Sequence, residues 1–189
     1  MRRPRLSSLL CAAILALAMR QGGMASDAIA FAVVRIPSHG ASATVIATRP
    51  GETVLLGCAH AFRGADRGKT LRLDVPAPNP TGDVKRAAIT LVALDEAVDL
   101  SLIVLRDGPL DFVAPVAPPG HRPGPNLLSV GYDGMRVPAE QRPATLLERG
   151  AATLFTRERP GHGRSGGALL DLDAGYLIGV VQGYETTGQ

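Results

Sequence analysis

Three short segments of this 189-residue chain hold side chains suited to proton transfer and nucleophilic attack. In Gly163-Arg164-Ser165-Gly166-Gly167 a serine hydroxyl stands between glycines. A serine that attacks a carbonyl must sit exposed on a tight turn, with backbone N–H groups facing the oxyanion that develops. Flanking glycines admit the φ values such a turn needs, and the apolar run 168–172 behind it supplies an anchor. A glycine-rich hairpin with an incidental serine has the same pattern, so this motif alone decides nothing.

His60 lies in Gly57-Cys58-Ala59-His60-Ala61-Phe62, just past the apolar run 53–56. A strand ending at that small-residue corner would leave a general base at a cleft, although a lone histidine also serves as a structural or surface group. Asp99 stands directly before the apolar run 100–105. Buried beside a histidine, its carboxylate would fix the ring tautomer and stabilise the cation. Asp95 and Glu96, farther from that run, suit an ordinary acidic turn. The order is His, Asp, Ser, with separations of 39 and 66 residues, each residue at a predicted strand end. That conjunction points to nucleophilic catalysis by Ser165 with His60 as base and Asp99 as its orienting partner. Cys58 lacks a glycine-rich loop of its own and reads as a small buried apolar group.

The elements that must position these residues are strands. Apolar, β-branched-rich runs at 28–36, 41–47, 53–58, 70–75, 87–94, 100–105, 127–131, 144–147, 151–155, 168–172 and 176–182 are separated by Gly, Pro, Asp and Asn. Such spacing predicts an all-β protein, with turns at Pro50-Gly51 and Asp107-Gly108. Residues 114–126 hold five prolines and two glycines. They read as a linker unable to donate a sheet ladder, dividing the chain into units at 26–113 and 127–189. Residues 1–25 have a basic head (Arg2, Arg3, Arg5), an apolar run over 6–19 and Gly23-Met24-Ala25 as a cleavage site. This is the layout of a secretory signal peptide, shorter than a comfortable membrane span, and it predicts a secreted or periplasmic protein with no stable membrane span after cleavage. Without the four arginines of 1–25, the chain's 20 basic side chains fall to 16 against 17 acidic, a net of about −1, so no basic face suggests nucleic acid. Only Cys58 remains after cleavage, which excludes an internal disulfide and a cysteine metal cluster.

Cys58-Ala59-His60, Asp99-Leu100-Ser101-Leu102 and Gly163-Arg164-Ser165-Gly166-Gly167 together resemble the trypsin-like (chymotrypsin-fold) serine proteases, especially compact bacterial members such as the periplasmic heat-shock proteases. Leu128-Ser129-Val130-Gly131-Tyr132 and Tyr176-Leu177-Ile178-Gly179-Val180-Val181 match as well, so the likeness runs from about Val33 to Gly183. The resemblance implies two six-stranded antiparallel β-barrels with the active site between them. It makes Ser165 the nucleophile, His60 the general base, Asp99 its orienting group, and the Gly163 and Ser165 N–H groups the oxyanion hole. It implies an exported endopeptidase acting on peptide or protein substrates without a metal or cofactor. Val180 to Gly183, with Val181, Gln182 and Gly183 as binding residues, would line the cleft and pair with the peptide as an added strand.

Three departures stand out. Arg164 replaces the Asp or Asn usual before the nucleophile, which argues against zymogen activation of the digestive kind; its side chain is expected to point to solvent. By the resemblance, Arg159, six residues before Ser165, stands near the position that often sets the floor of the specificity pocket, where a cation would favour acidic side chains, unless loop differences move it out altogether; His162 reads as a loop residue. The chain stops at Gln189, soon after the last strand, where the family supplies at least one more, so the expectation is an incomplete second barrel, either a C-terminally truncated one or that of a reduced family member. Two alternatives stand beside the protease: an inactive peptide-binding module on the same fold, and an unrelated exported β-sandwich adhesion domain.

Overall fold

The computed structural model describes residues 31–64, 68–75, 83–106, 110, 112–136, 138–150 and 152–183. The N-terminal segment 1–30 and the turn at Asp107-Gly108 therefore lie outside the described residues. Six strands close a barrel in the order β1-β2-β3-β6-β5-β4. They are β1 (Val33–Ile36), β2 (Ala41–Arg49), β3 (Glu52–Gly57), β4 (Thr70–Val75), β5 (Asp83–Asp95) and β6 (Leu100–Arg106). Every pairing is antiparallel. Pro50-Gly51 makes the β2–β3 turn, Gly51 taking φ +78°. Side chains alternate across a strand, so Val34, Ile36, Ala43, Val45, Leu55, Ile103 and Leu105 meet in one dry core. β2 is buried along seven of its nine residues because its second face also has a neighbour. There Ser42 and Thr44 donate to the carbonyls of Gly163 and Gly166.

The second lobe is a four-stranded sheet in the order β12-β11-β7-β8, beside a separate β9–β10 pair. Its strands are β7 (Leu127–Gly131), β8 (Glu140–Ala144), β9 (Leu146–Arg149), β10 (Leu154–Thr156), β11 (Ala168–Asp171) and β12 (Tyr176–Val180). Among the described residues these two sheets are not joined into a closed barrel. A small core of Leu127, Ala144 and Leu169 lies between them, with Leu146, Leu154 and Ile178 packed on it.

Two expectations change. The single run at 144–147 is split: β8 ends at Ala144, and Thr145 turns to accept from Arg157 N–H while its own N–H reaches Glu158. β8 itself (Glu-Gln-Arg-Pro-Ala) has no apolar alternation to reveal it. It is an edge strand, where a proline such as Pro143 is tolerated. The proline-rich linker also bonds into the sheets. Ala114 N–H reaches Val45 O at 2.8 Å, Ala117 N–H reaches Leu177 O at 2.9 Å, and Leu177 N–H returns to Pro115 O at 2.7 Å. The missing N–H groups belong to Pro115 and Pro118, and the alanines next to them supply the bonds.

The linker's far end is tied down by Asp171, which is buried at 1% exposure. It accepts from His121 Nε2 (2.9 Å) and Gly124 N–H (2.9 Å), and from Asp173 and Ala174 N–H (3.1 and 3.2 Å). Burial alone would raise its pKa, but the bonds from Gly124, His121 and Ala174 outweigh it and hold the carboxyl below its ordinary value. A depressed carboxyl stabilises the fold above its unfolded pKa and loses that contribution as pH falls through the folded value. Asp171→Ala, which orphans these donors, should therefore cost about 1–3 kcal/mol at neutral pH. The deficit against the parent chain should shrink on acidification below the ordinary carboxylate range; urea unfolding across pH measures both.

Candidate active site

After β3 the chain turns at Cys58 into a single helical turn, α1 (Ala59–Phe62). Phe62 is fully buried, and a Cβ on Gly57 would stand 2.8 Å from its ring. The small-residue corner thus lets Phe62 fold back into the barrel and leaves His60 facing outward. Cys58 does not cap α1 with its side chain. The cap comes from Asp99, at the turn between β5 and β6. Its carbonyl accepts Ala59 N–H at 3.1 Å and its Oδ1 accepts His60 N–H at 2.8 Å. Its Oδ2 lies 2.7 Å from His60 Nδ1. A carboxylate can only accept, so Nδ1 carries the proton and Nε2 is left as the basic nitrogen. Asp99 is the one non-glycine at positive φ among the described residues (+50°). It is half-buried, at 30% side-chain exposure, rather than enclosed as the sequence suggested. Asp95, the last residue of β5, and Glu96, in the turn after it, are both exposed; Asp95 accepts Ala97 N–H, and Glu96 pairs with Arg63 at the surface.

Ser165 sits in the tight loop before β11. Gly163 and Gly166 take φ +90° and +88°, values that a side chain would oppose. The loop lies against β2: Ser42 N–H donates to Ser165 O (2.8 Å) and Ser42 Oγ to Gly163 O (2.7 Å). A Cβ on Gly166 would fall 1.9 Å from Ser42 O. Among the described residues, no protein acceptor takes up the N–H groups of Gly163 and Ser165. Ser165 Oγ donates to Gln182 O at 3.2 Å, and no hydrogen bond joins it to His60.

Two bridges bring the halves of the site together, and the sequence reading missed both. Val181 O accepts Gly166 N–H at 2.8 Å and the Cys58 thiol at 3.1 Å. Gln182 accepts from Ser165 through its carbonyl while its Nε2 donates to Val98 O at 2.6 Å, next to Asp99. Burial, and then the Asp99 charge, push the Cys58 thiol up to about 12. It remains a protonated donor, unlike a thiolate nucleophile. Cys58 Sγ, a His60 ring nitrogen and an Asp99 oxygen lie within 4.8 Å of one another. A thiophilic cation would have to displace the thiol proton to use them.

Arg164 is not in solvent. It is 1% exposed, with Nε 2.6 Å from Asp133 Oδ1 and Nη1 3.1 Å from both Ser129 O and Ser129 Oγ. The reason is local: Gly163 and Gly166 present Ser165 on one side of the loop and turn Arg164 to the other, beneath Gly131. A cleft of about 770 Å³ opens beside the site, lined by Arg157, Arg159, Val181, Gln182 and Gly183 among others, though not by His60 or Ser165. Arg159 is exposed there and His162 is an exposed loop residue, its carbonyl accepting Gly134 N–H. Val181 lines the cleft, but its N–H and C=O are both bonded within the protein. An added strand would have to pair beyond it.

A closed β-barrel facing a second sheet, with a hydrogen-bonded His–Asp pair and a glycine-framed serine at their junction, is the architecture of a chymotrypsin-like peptidase. The model of the trypsin-like peptidase domain matches residues 41–180, and the chain belongs to that family. Among solved structures it is similar to the Rv3671c protease in its inactive form, at 20% identity and a TM-score of 0.61 over 85% of this chain and 82% of that one. At that identity the likeness is one of fold. Among curated proteins, none matches the chain.

The state of Cys58 is open to a direct check. In the folded chain lacking residues 1–25, and so lacking Cys11, iodoacetamide at pH 8 should leave Cys58 unmodified over hours, and denaturant should expose it to rapid alkylation. Intact mass reads both.

Proposed function

We propose that this chain is an exported serine endopeptidase, secreted or periplasmic, that hydrolyses peptide bonds through Ser165, His60 and Asp99. The observation that carries the reading is the double grip of Asp99 on the His60 backbone and Nδ1, which leaves Nε2 as the base. Ser165 lies on the opposite side of the Val181 and Gln182 bridges. For catalysis the Ser165 hydroxyl must leave Gln182 O and donate to Nε2. Catalytic hydrogen bonds are often long or misaligned before substrate binds.

In the proposed cycle His60 Nε2 takes the hydroxyl proton as Oγ adds to the scissile carbonyl, and Asp99 stabilises the imidazolium without taking the proton. The Gly163 and Ser165 N–H groups receive the oxyanion. His60 then protonates the leaving amine, and water, activated by the same ring, releases the acyl group from Ser165. The peptide would lie along the cleft past Val181, Gln182 and Gly183, with Arg159 on its wall. Export rests on the leader-like pattern of residues 1–25.

A fluorophosphonate probe on the chain lacking residues 1–25 tests the reading. Labelling is expected in the parent and absent in Ser165→Ala with unchanged circular dichroism. Asp99→Asn, which favours the wrong tautomer, should lower kcat by about 10⁴-fold. The Ser165–Gln182 bond gives a second reading some support, that of an inactive peptide-binding module. A folded chain that binds peptides yet is not labelled would establish that one instead.

A further inference from the structure

We propose that Arg164 is a positioning residue: its buried ion pair with Asp133 holds the 163–167 loop in the shape that presents the Gly163 and Ser165 N–H groups. The inference deepens the preceding one and rests on Ser165 being the nucleophile.

A guanidinium at 1% exposure is costly to place unless its donors are met. Here Nε meets Asp133 Oδ1 and Nη1 meets two Ser129 oxygens. Among the described residues Nη2 has no hydrogen-bond partner, and it lies 3.8 Å from Glu140 Oε2. Asp133 is itself buried, and its other oxygen lies 2.6 Å from Arg142, which also pairs with Glu140. The chain runs Arg164, Asp133, Arg142, Glu140, from the nucleophile loop to the edge strand β8. Space has been cleared for it. A Cβ on Gly131 would stand 2.6 Å from Arg164 Cγ, and one on Gly161 would stand 2.8 Å from Asp133 Cγ.

Arg164 has a proposed oxyanion donor next to it on both sides. Arg164 separates Gly163 from Ser165, whose N–H groups are the proposed oxyanion donors. Its own backbone closes the loop, with Arg164 N–H on Gly161 O (3.2 Å) and Gly167 N–H on Arg164 O (2.8 Å). Asp133 opens a short 3-10 turn, Asp133–Met135, whose Gly134 N–H bonds His162 O at 2.6 Å. The turn and the loop are thus stitched twice, once by charge and once by backbone. With glycines at positive φ on either side of it, the loop has little intrinsic preference for this shape. A fixed guanidinium between those glycines supplies the preference.

The test uses the full chain with Arg164→Met and Arg164→Lys, read by kcat and KM on a peptide substrate and by amide hydrogen exchange. For Arg164→Met, kcat should fall about 10²-fold, as for a lost oxyanion donor, with KM nearly unchanged. Exchange should accelerate at Gly166 and Gly167 while the β1–β6 barrel stays protected. Arg164→Lys, which keeps the charge but not the fork, should recover part of both. Unchanged kcat and unchanged exchange at Gly166 and Gly167 in Arg164→Met would overturn the proposal. So would loss of protection throughout the barrel in both variants, because the pair would then serve the fold as a whole. If the parent chain shows no peptidase activity and no probe labelling, the peptidase reading fails, while the exchange at Gly166 and Gly167 still decides whether Arg164 holds the loop.

Discussion

The contact between Ser42 and the loop that carries Ser165 is the constraint on which the candidate site depends. Ser42 donates through its N–H to Ser165 O and through its hydroxyl to Gly163 O, and accepts Tyr132 N–H at 3.1 Å. One residue of the first barrel therefore fixes the loop and the end of β7 in the second lobe at once. These groups are buried, and leaving any of them unpaired would cost about 1–3 kcal/mol each. The approach is so close that only glycine can stand at position 166. Register in β2 matters for the same reason. A one-residue slip would bring Ala41 and Ala43 to this face and remove both hydroxyls.

From this joint the remaining geometry follows as paired supports. The loop reaches the His60 side through Val181 and Gln182, which contact Cys58 and Val98. Asp99 holds His60 at the cost of a left-handed backbone, about 1–2 kcal/mol for a residue with a Cβ. Three hydrogen bonds from Ala59 and His60 offset that strain. Strain retained by such over-determination is typical of functional sites. On the far side of the loop, the Arg164–Asp133 pair occupies the space that Gly131 and Gly161 leave open.

Much of this was legible in the chain itself. The barrel strands follow apolar runs bounded by turn residues, and 70–75 and 127–131 match their observed strands end for end. β8 was not legible, because an edge strand facing water needs no apolar alternation, and a proline such as Pro143 is uncommon inside strands. The linker's role was hidden for a related reason. Its prolines announce missing donors, whereas the bonds are made by Ala114 and Ala117 and depend on where Val45 and Leu177 happen to lie.

The sequence by itself determined which residues can do chemistry here. Hydroxyl, imidazole and carboxylate are properties of side chains, and glycines on both sides of Ser165 mark a backbone that must turn sharply. Tertiary structure alone decided what each one touches. Arg164 reads as a surface charge because arginine usually is one. It is buried because a loop that exposes Ser165 must turn its neighbour inward, toward an aspartate 31 positions away. Cys58 reads as inert filler, and only folding places its thiol on Val181 O across the joint between the sheets. Partners this far apart in the chain leave no local pattern, because they are chosen by the packing of one sheet against another.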